Sequence, residues 1–202
     1  PPCGKVVIVD IDEKSLREYG QWPWPRDLFA RLLRNIDSAE PKIVGLDMFF
    51  PERDRTSPDV LLQKLETQSG EKITLPESAL TNHDAILGRT IGDMDKVILG
   101  YTFVMEDDGI KPGQTPPFPM WSYKKHPPSA DLEGIREVYR PILNIPVISR
   151  YARSEGFVNT LPDVSGTIRK VPLVMTYQER LYPSLAFEMV REGLGINGVS
   201  VH

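Results

Sequence analysis

Two stretches decide how this chain is read: VVIVDI, residues 6–11, and QWPWPRDLFARLL, residues 21–33. The first is a near-continuous, β-branched apolar run, the pattern of a strand buried on both faces. In the second, Leu28, Phe29, Leu32, Leu33 and Ile36 recur at helical spacing, with Arg31, Arg34 and Asp37 opposite them. Pro25 suits a first helical turn, where its missing N–H costs nothing, and Pro41 stops the helix. KIVGLDMFF, residues 42–50, follows as a second apolar strand. Strand, helix and strand in so short a span predict a parallel, right-handed βαβ unit.

Downstream, Ser57-Pro58-Asp59 opens a helix with Val60, Leu61, Leu62 and Leu65 on its apolar face, and Gly70 closes it. A further helix is expected over about 84–91, then a third strand, VILGYTFVM, over 97–105. Residues 106–146 carry Pro112, Pro116, Pro117, Pro119, Pro127, Pro128, Pro141 and Pro146. Regular structure is not expected through most of this excursion, which would be packed on the surface by Phe118, Met120, Trp121 and Tyr123. A short helix is expected at 145–151. Strands at 156–160 and 171–177 would be joined into an antiparallel hairpin by DVSGTIRK, residues 163–170. Pro183-Ser184 opens a last helix with Leu185, Ala186, Met189 and Val190 on one face. The fold class that follows is one α/β domain over residues 1–202, a parallel βαβ core extended by antiparallel strands, with the Pro-rich excursion.

Composition agrees with a globular chain: 202 residues, 40% apolar, 26% charged, formal charge −4. A nucleic-acid or acidic-membrane partner needs a basic footprint, and Lys124-Lys125 is too small to supply one. The single cysteine, Cys3, excludes an internal disulfide. No apolar run approaches the ~20 residues that span a bilayer. Pro1-Pro2-Cys3-Gly4 leads almost directly into the first apolar run, which reads as a domain cut from a longer protein.

Three carboxylates stand at expected strand ends. Asp10 and Asp12 lie two apart, hence on one face of a strand, and Asp47 ends the second. Open α/β sheets bind ligands at that end. An apolar strand followed by Asp-x-Asp resembles the haloacid-dehalogenase-like phosphotransferases, in which the first Asp is nucleophile and the second a general acid/base with Mg2+. An Asp107-Asp108 pair follows the third strand. The middle motifs of that family have no match, and Lys14 stands where it has Thr or Val. Arg26 offers a structural reading of the same aspartates, an ion-pair network tying helix to sheet. GLGING, residues 193–198, has dinucleotide-fingerprint spacing but follows a helix instead of a strand, so it reads as helix termination. His83, His126 and His202 lack metal-ligand spacing, and no Gly-x-Ser-x-Gly elbow is present. Trp22 and Trp24 read as a stiff hydrophobic corner before they read as a pocket.

Taken in order, the motifs resemble CHASE-type sensory domains of the second subfamily (cyclase- and histidine-kinase-associated sensory extracellular). The first signature is the apolar strand, Asp10, Asp12, Ser15, Gly20, Trp22-Pro23-Trp24-Pro25-Arg26, the Leu-rich helix, then Asp47 and Phe50. The second is Gly156, Phe157, Asn159, Asp163, Gly166, Arg169, Pro172, Leu173 and Tyr182 to Leu185. The resemblance implies an extracytoplasmic sensor of a bacterial membrane receptor that does no chemistry itself. It implies transmembrane helices and an intracellular nucleotide cyclase, histidine kinase or Ser/Thr kinase in the parent chain. The expected ligand site is the strand-end pocket rimmed by Asp10, Asp12, Arg26 and Asp47, taking an extracellular small-molecule cue. No cofactor or metal is expected. A dimerisation module is an alternative, carried by the aromatics at 118–123, and the phosphohydrolase using Asp10 and Asp12 is another.

Overall fold

The computed structural model of the chain describes residues 5–113, 115–116, 135–161 and 166–197. Its spine is the eight-residue strand β2, Val97–Val104. β1, Val44–Leu46, pairs with its first half in parallel, Val44 opposite Val97 and Leu46 opposite Leu99. β4, Ser154–Phe157, pairs parallel on β2 from Ile98 to Tyr101. β3, Arg140–Ile142, runs antiparallel against Thr102–Val104. The result is a mixed α/β domain with a parallel β1-β2-β4 sheet.

Alternation along the strands sorts the two faces. Val44, Leu46, Val97 and Leu99 join a core with Phe29, Ala30 and Leu33 of α2, Arg26–Asp37, and Leu87, Ile91 and Met94 of α4, His83–Met94. The short α5, Pro146–Ser149, adds Ile148 to it. The opposite face is met by α6, Leu185–Leu194. There the helix comes so close that a Cβ on Gly156 would lie 2.6 Å from the Leu185 backbone. A second core, Tyr101, Phe103, Phe157, Met175, Tyr177 and Tyr182, forms where the far half of β2 meets a two-stranded hairpin. That hairpin is β5, Val174–Tyr177, with β6, Arg180–Pro183. Its two-residue turn holds Gln178 and Glu179 at φ of 49° and 60°, as a tight primed turn requires.

Local signals place most helices. Ser184 caps α6 by accepting from the Phe187 N–H, and Gly195 ends it in the left-handed region. The Gly-rich tail is thus helix termination, as its position after a helix suggested. Asn82 caps α4 in the same way. α1, Glu13–Tyr19, is capped by Asp12. The Trp22–Pro23 bond is cis.

Four expectations fail. Residues 6–11 form no strand, and Val6, Val7, Ile8 and Val9 are 71%, 82%, 88% and 58% exposed. The parallel pair therefore comes from β1 and β2, with α3, Pro58–Ser69, and α4 between them. α3 buries nothing, and Leu61 and Leu65 lie open; its four apolar residues gather too loosely to make a core-facing stripe. β4 pairs with β2, not with β5, so the hairpin lies one segment later than the turn chemistry of 163–170 indicated. On α6 the buried residues are Leu185 and Glu188, while Ala186 and Val190 face solvent. Within the Pro-rich stretch Pro141 occupies the middle of β3, in the short antiparallel strand at its end. The aromatics at 118–123, together with Asp163, His126 and His202, lie outside the described residues. No helix among the described residues is long and apolar enough to cross a membrane.

Candidate functional site

The Trp-Pro-Trp-Pro-Arg segment brings chain and core together at the start of α2. Trp24 is buried, and its indole N–H donates to the Gly20 carbonyl at 2.8 Å. Tyr19, Trp24, Trp22, Phe29 and Phe50 form a run of rings with centroids 5.6–6.2 Å apart, two of the four pairs edge to face. Arg26 closes the run, with its guanidinium carbon 4.5 Å from the Phe50 ring centroid, a cation–π contact made inside the protein.

Arg26 does not meet the aspartates that the sequence offers it. Its backbone N–H donates to Asp54 at 2.7 Å, and its Nε lies 3.9 Å from Asp84. Asp54 also accepts from the N–H and hydroxyl of Thr56 and faces Nδ1 of His83 at 3.1 Å. The N–H of Asp54 in turn reaches the Asp84 carboxylate at 3.1 and 3.2 Å. All three charged groups are nearly inaccessible. Burial opposes ionisation of Asp54, but the bonds from Arg26 N–H and Thr56 outweigh it and hold its pKa below the usual range. At Asp84 burial dominates and its pKa is raised, partly offset by the Asp54 N–H and Arg26. Burial lowers the pKa of Arg26, against the pull of Asp54 and Asp84. The Arg26 Nε has no hydrogen-bond partner among the described residues.

Above this network lies a cleft of about 310 Å³, walled by Trp22, Pro23 and Trp24 on one side and the loop Pro51–Thr56 on the other. Its rim carries Arg53, paired with Asp59, and Arg55, paired with Glu52 at 2.5 Å. A larger cleft of about 430 Å³ lies at the far end of β2, by Met105, Glu106, Tyr139 and Tyr177. It lies more open to solvent, and the charged residues among its described lining are exposed.

Of the four residues expected at a strand-end pocket, only Arg26 lines the cleft. Asp10 and Asp47 are exposed. Asp12 is engaged as the α1 cap, accepting from the Ser15 N–H and hydroxyl, each at 2.8 Å, and the Ser15 bonds lower its pKa. Among the described residues no three acidic, His or Cys groups stand close enough to hold a metal ion.

A second buried polar group escaped the sequence reading. Asn144 accepts from the Phe50 N–H at 2.7 Å and donates to the Gly100 carbonyl at 2.9 Å and to Glu155 at 3.1 Å. Glu155 sits in β4 with its pKa raised to about 7, chiefly by burial and against bonds from Ser149 and Asn144. Asn159, singled out in the second motif, holds the far half of β2 as a strand would, taking the Phe103 N–H at 2.7 Å and giving to its carbonyl at 2.8 Å. Gly166 takes a φ of 77°, a left-handed value that favours glycine. Arg169 is exposed.

Comparison with protein families matches the CHASE2 domain over residues 1–201. No curated protein and no solved structure matches the chain. The chain belongs to the CHASE2 family of non-catalytic sensory domains, which are typically extracytoplasmic.

Proposed function

We propose that this CHASE2 domain is the input module of a bacterial membrane receptor, binding a small organic cue in the Trp22–Arg26 cleft. The change would be relayed through membrane helices to a cyclase or kinase in the same protein. What supports the reading most directly is the floor of the cleft: a buried guanidinium lying on Phe50, with its Nε left without a hydrogen bond among the described residues and only the Asp84 carboxylate at 3.9 Å. Structural corners seldom leave such a group unsatisfied. The volume suits a small ligand, and exposed Trp22 with the rim arginines Arg53 and Arg55 supplies an apolar wall and polar contacts. A cue signals only if it favours one state, and about 1.4 kcal/mol of differential binding moves the ratio of states ~10-fold.

The reading is tested by a thermal-shift screen of small metabolites, with hits followed by calorimetry on wild type, Trp22→Ala and Arg55→Ala. Arg55 is exposed, so Arg55→Ala should melt with the wild type, while Trp22→Ala also gives up its ring contacts with Trp24 and Phe29 and should melt somewhat lower; each should lose at least ~10-fold in affinity. Hits that bind both variants as tightly as wild type would place the cue elsewhere. A phosphohydrolase using Asp10 and Asp12 has less support, since Asp12 is tied up as a helix cap.

A further inference from the structure

Among the described residues the chain carries an unpaired apolar segment and an unpaired sheet edge whose chemistries match. Val6–Val9 is four consecutive apolar residues held in solvent, a patch that soluble domains rarely leave open without a partner. β1 ends the sheet, and among the described residues it pairs with β2 alone. The Val44 N–H bonds to Lys96 on the β2 side. In a parallel ladder neighbouring residues point their N–H groups to opposite sides, so Gly45 presents its N–H to the open edge. Beside that edge, α6 leaves Val190 and Leu194 60% and 67% exposed. Its Gly193 approaches Ile43 closely enough that a Cβ there would lie 3.7 Å from that side chain.

Charge decides the direction and the partner. The free segment reads Lys5-Val6-Val7-Ile8-Val9-Asp10, and the edge reads Lys42-Ile43-Val44-Gly45-Leu46-Asp47. Laid antiparallel, Lys5 meets Asp47, Asp10 meets Lys42, and Val7 stands opposite Gly45. Laid parallel, lysine meets lysine and aspartate meets aspartate, which is destabilising across a ladder. Within one chain, the connection through α1 and α2 favours the parallel crossover. The antiparallel match is open to a second copy. Each copy offers one strand and one edge, so two copies satisfy both in a closed, two-fold arrangement.

We infer that two copies of this chain associate by adding Lys5–Asp10 of each, antiparallel, to the β1 edge of the other. This is strand addition, in which backbone bonds supply affinity and alternate side chains supply fit.

The test is sedimentation of the 202-residue chain over a concentration series, with hydrogen exchange at Gly45. Wild type should form a dimer, with Gly45 protection rising with concentration. Val7→Pro removes an N–H from the new ladder without touching the folded core, and should raise the dimer dissociation constant at least ~10-fold at an unchanged dilute melting temperature. Asp10→Lys should weaken association in the same way, and the double variant Asp10→Lys with Lys42→Asp should restore it. Four outcomes would overturn the proposal: a wild type that stays monomeric, a Val7→Pro dimer as tight as wild type, Gly45 protection independent of concentration, or a double variant that fails to recover. Tighter association by Asp10→Lys alone would also overturn it, since that is the signature of parallel pairing.

Discussion

Val6–Val9 and Val97–Leu99 are close to the same polymer: short, mostly β-branched, apolar and entered from a lysine. Their fates are opposite. Val97, Ile98 and Leu99 are wholly buried with a strand on either side, while Val6–Val9 lies open. Intrinsic preference is shared, so what differs is company. β2 finds β1 and β4 in register and a helical layer over each face; the N-terminal run finds none of these in its own chain. Strand preference is largely a statement about fitting a half-buried, paired surface, and these two stretches separate the two halves of that statement.

The contrast can be broken or sharpened in order of expected effect. Leu99→Ala opens a cavity in the centre of the first core and should cost ~2–5 kcal/mol in urea denaturation. Next comes the acid in the strand beside β2. Glu155 titrates near 7 when folded against 4.5 when unfolded, so ionisation is favoured in the unfolded chain between those values. Its contribution is fully present below pH 4.5 and is lost as pH rises through about 7, a difference of ~3 kcal/mol by linkage. Glu155→Gln should therefore flatten the fall in stability between pH 4.5 and 7, measured by denaturation at each pH; an unchanged slope would assign the fall to other groups. Asp84, whose pKa is also raised by burial, acts in the same direction and remains in the variant. Asp12→Ala removes the α1 cap and should cost ~1 kcal/mol. Because α1 buries no residue, that loss should show as faster exchange of its own amides with little change in global unfolding. The smallest effect belongs to Ile8→Ala in dilute protein, below ~0.5 kcal/mol as for an exposed site. A loss there matching that of Leu99→Ala would mean the two runs share one core after all.

The same contrast explains how far the sequence could be read. α2, α4 and β2 were legible because periodicity, caps and a long apolar run all agree. α6 was legible at its ends, from Ser184 and Gly195, but its buried side includes Glu188, which binds the Ser154 hydroxyl and Arg191; a hydropathy pattern assigns a glutamate to water. The hairpin was misplaced because Gly166 offers strong turn chemistry, whereas the real turn uses Gln178 and Glu179, residues without a turn signature. Arg26 was legible from its motif. Asp54 and Asp84 were not, since they come from a charged loop and a helix start that local rules read as solvated. What unites them is a tertiary meeting with one residue, Asp54 at the backbone N–H of Arg26 and Asp84 near its guanidinium.

Asn144 gives this architecture a crankshaft. Its carboxamide is a rigid plane, gripped at once by the backbone under the Arg26 cleft, by the middle of β2 and by β4. Such a plate has no way to pivot for one neighbour while standing still for the others. A shift of Phe50 therefore strains the bonds to β2 and β4 as well.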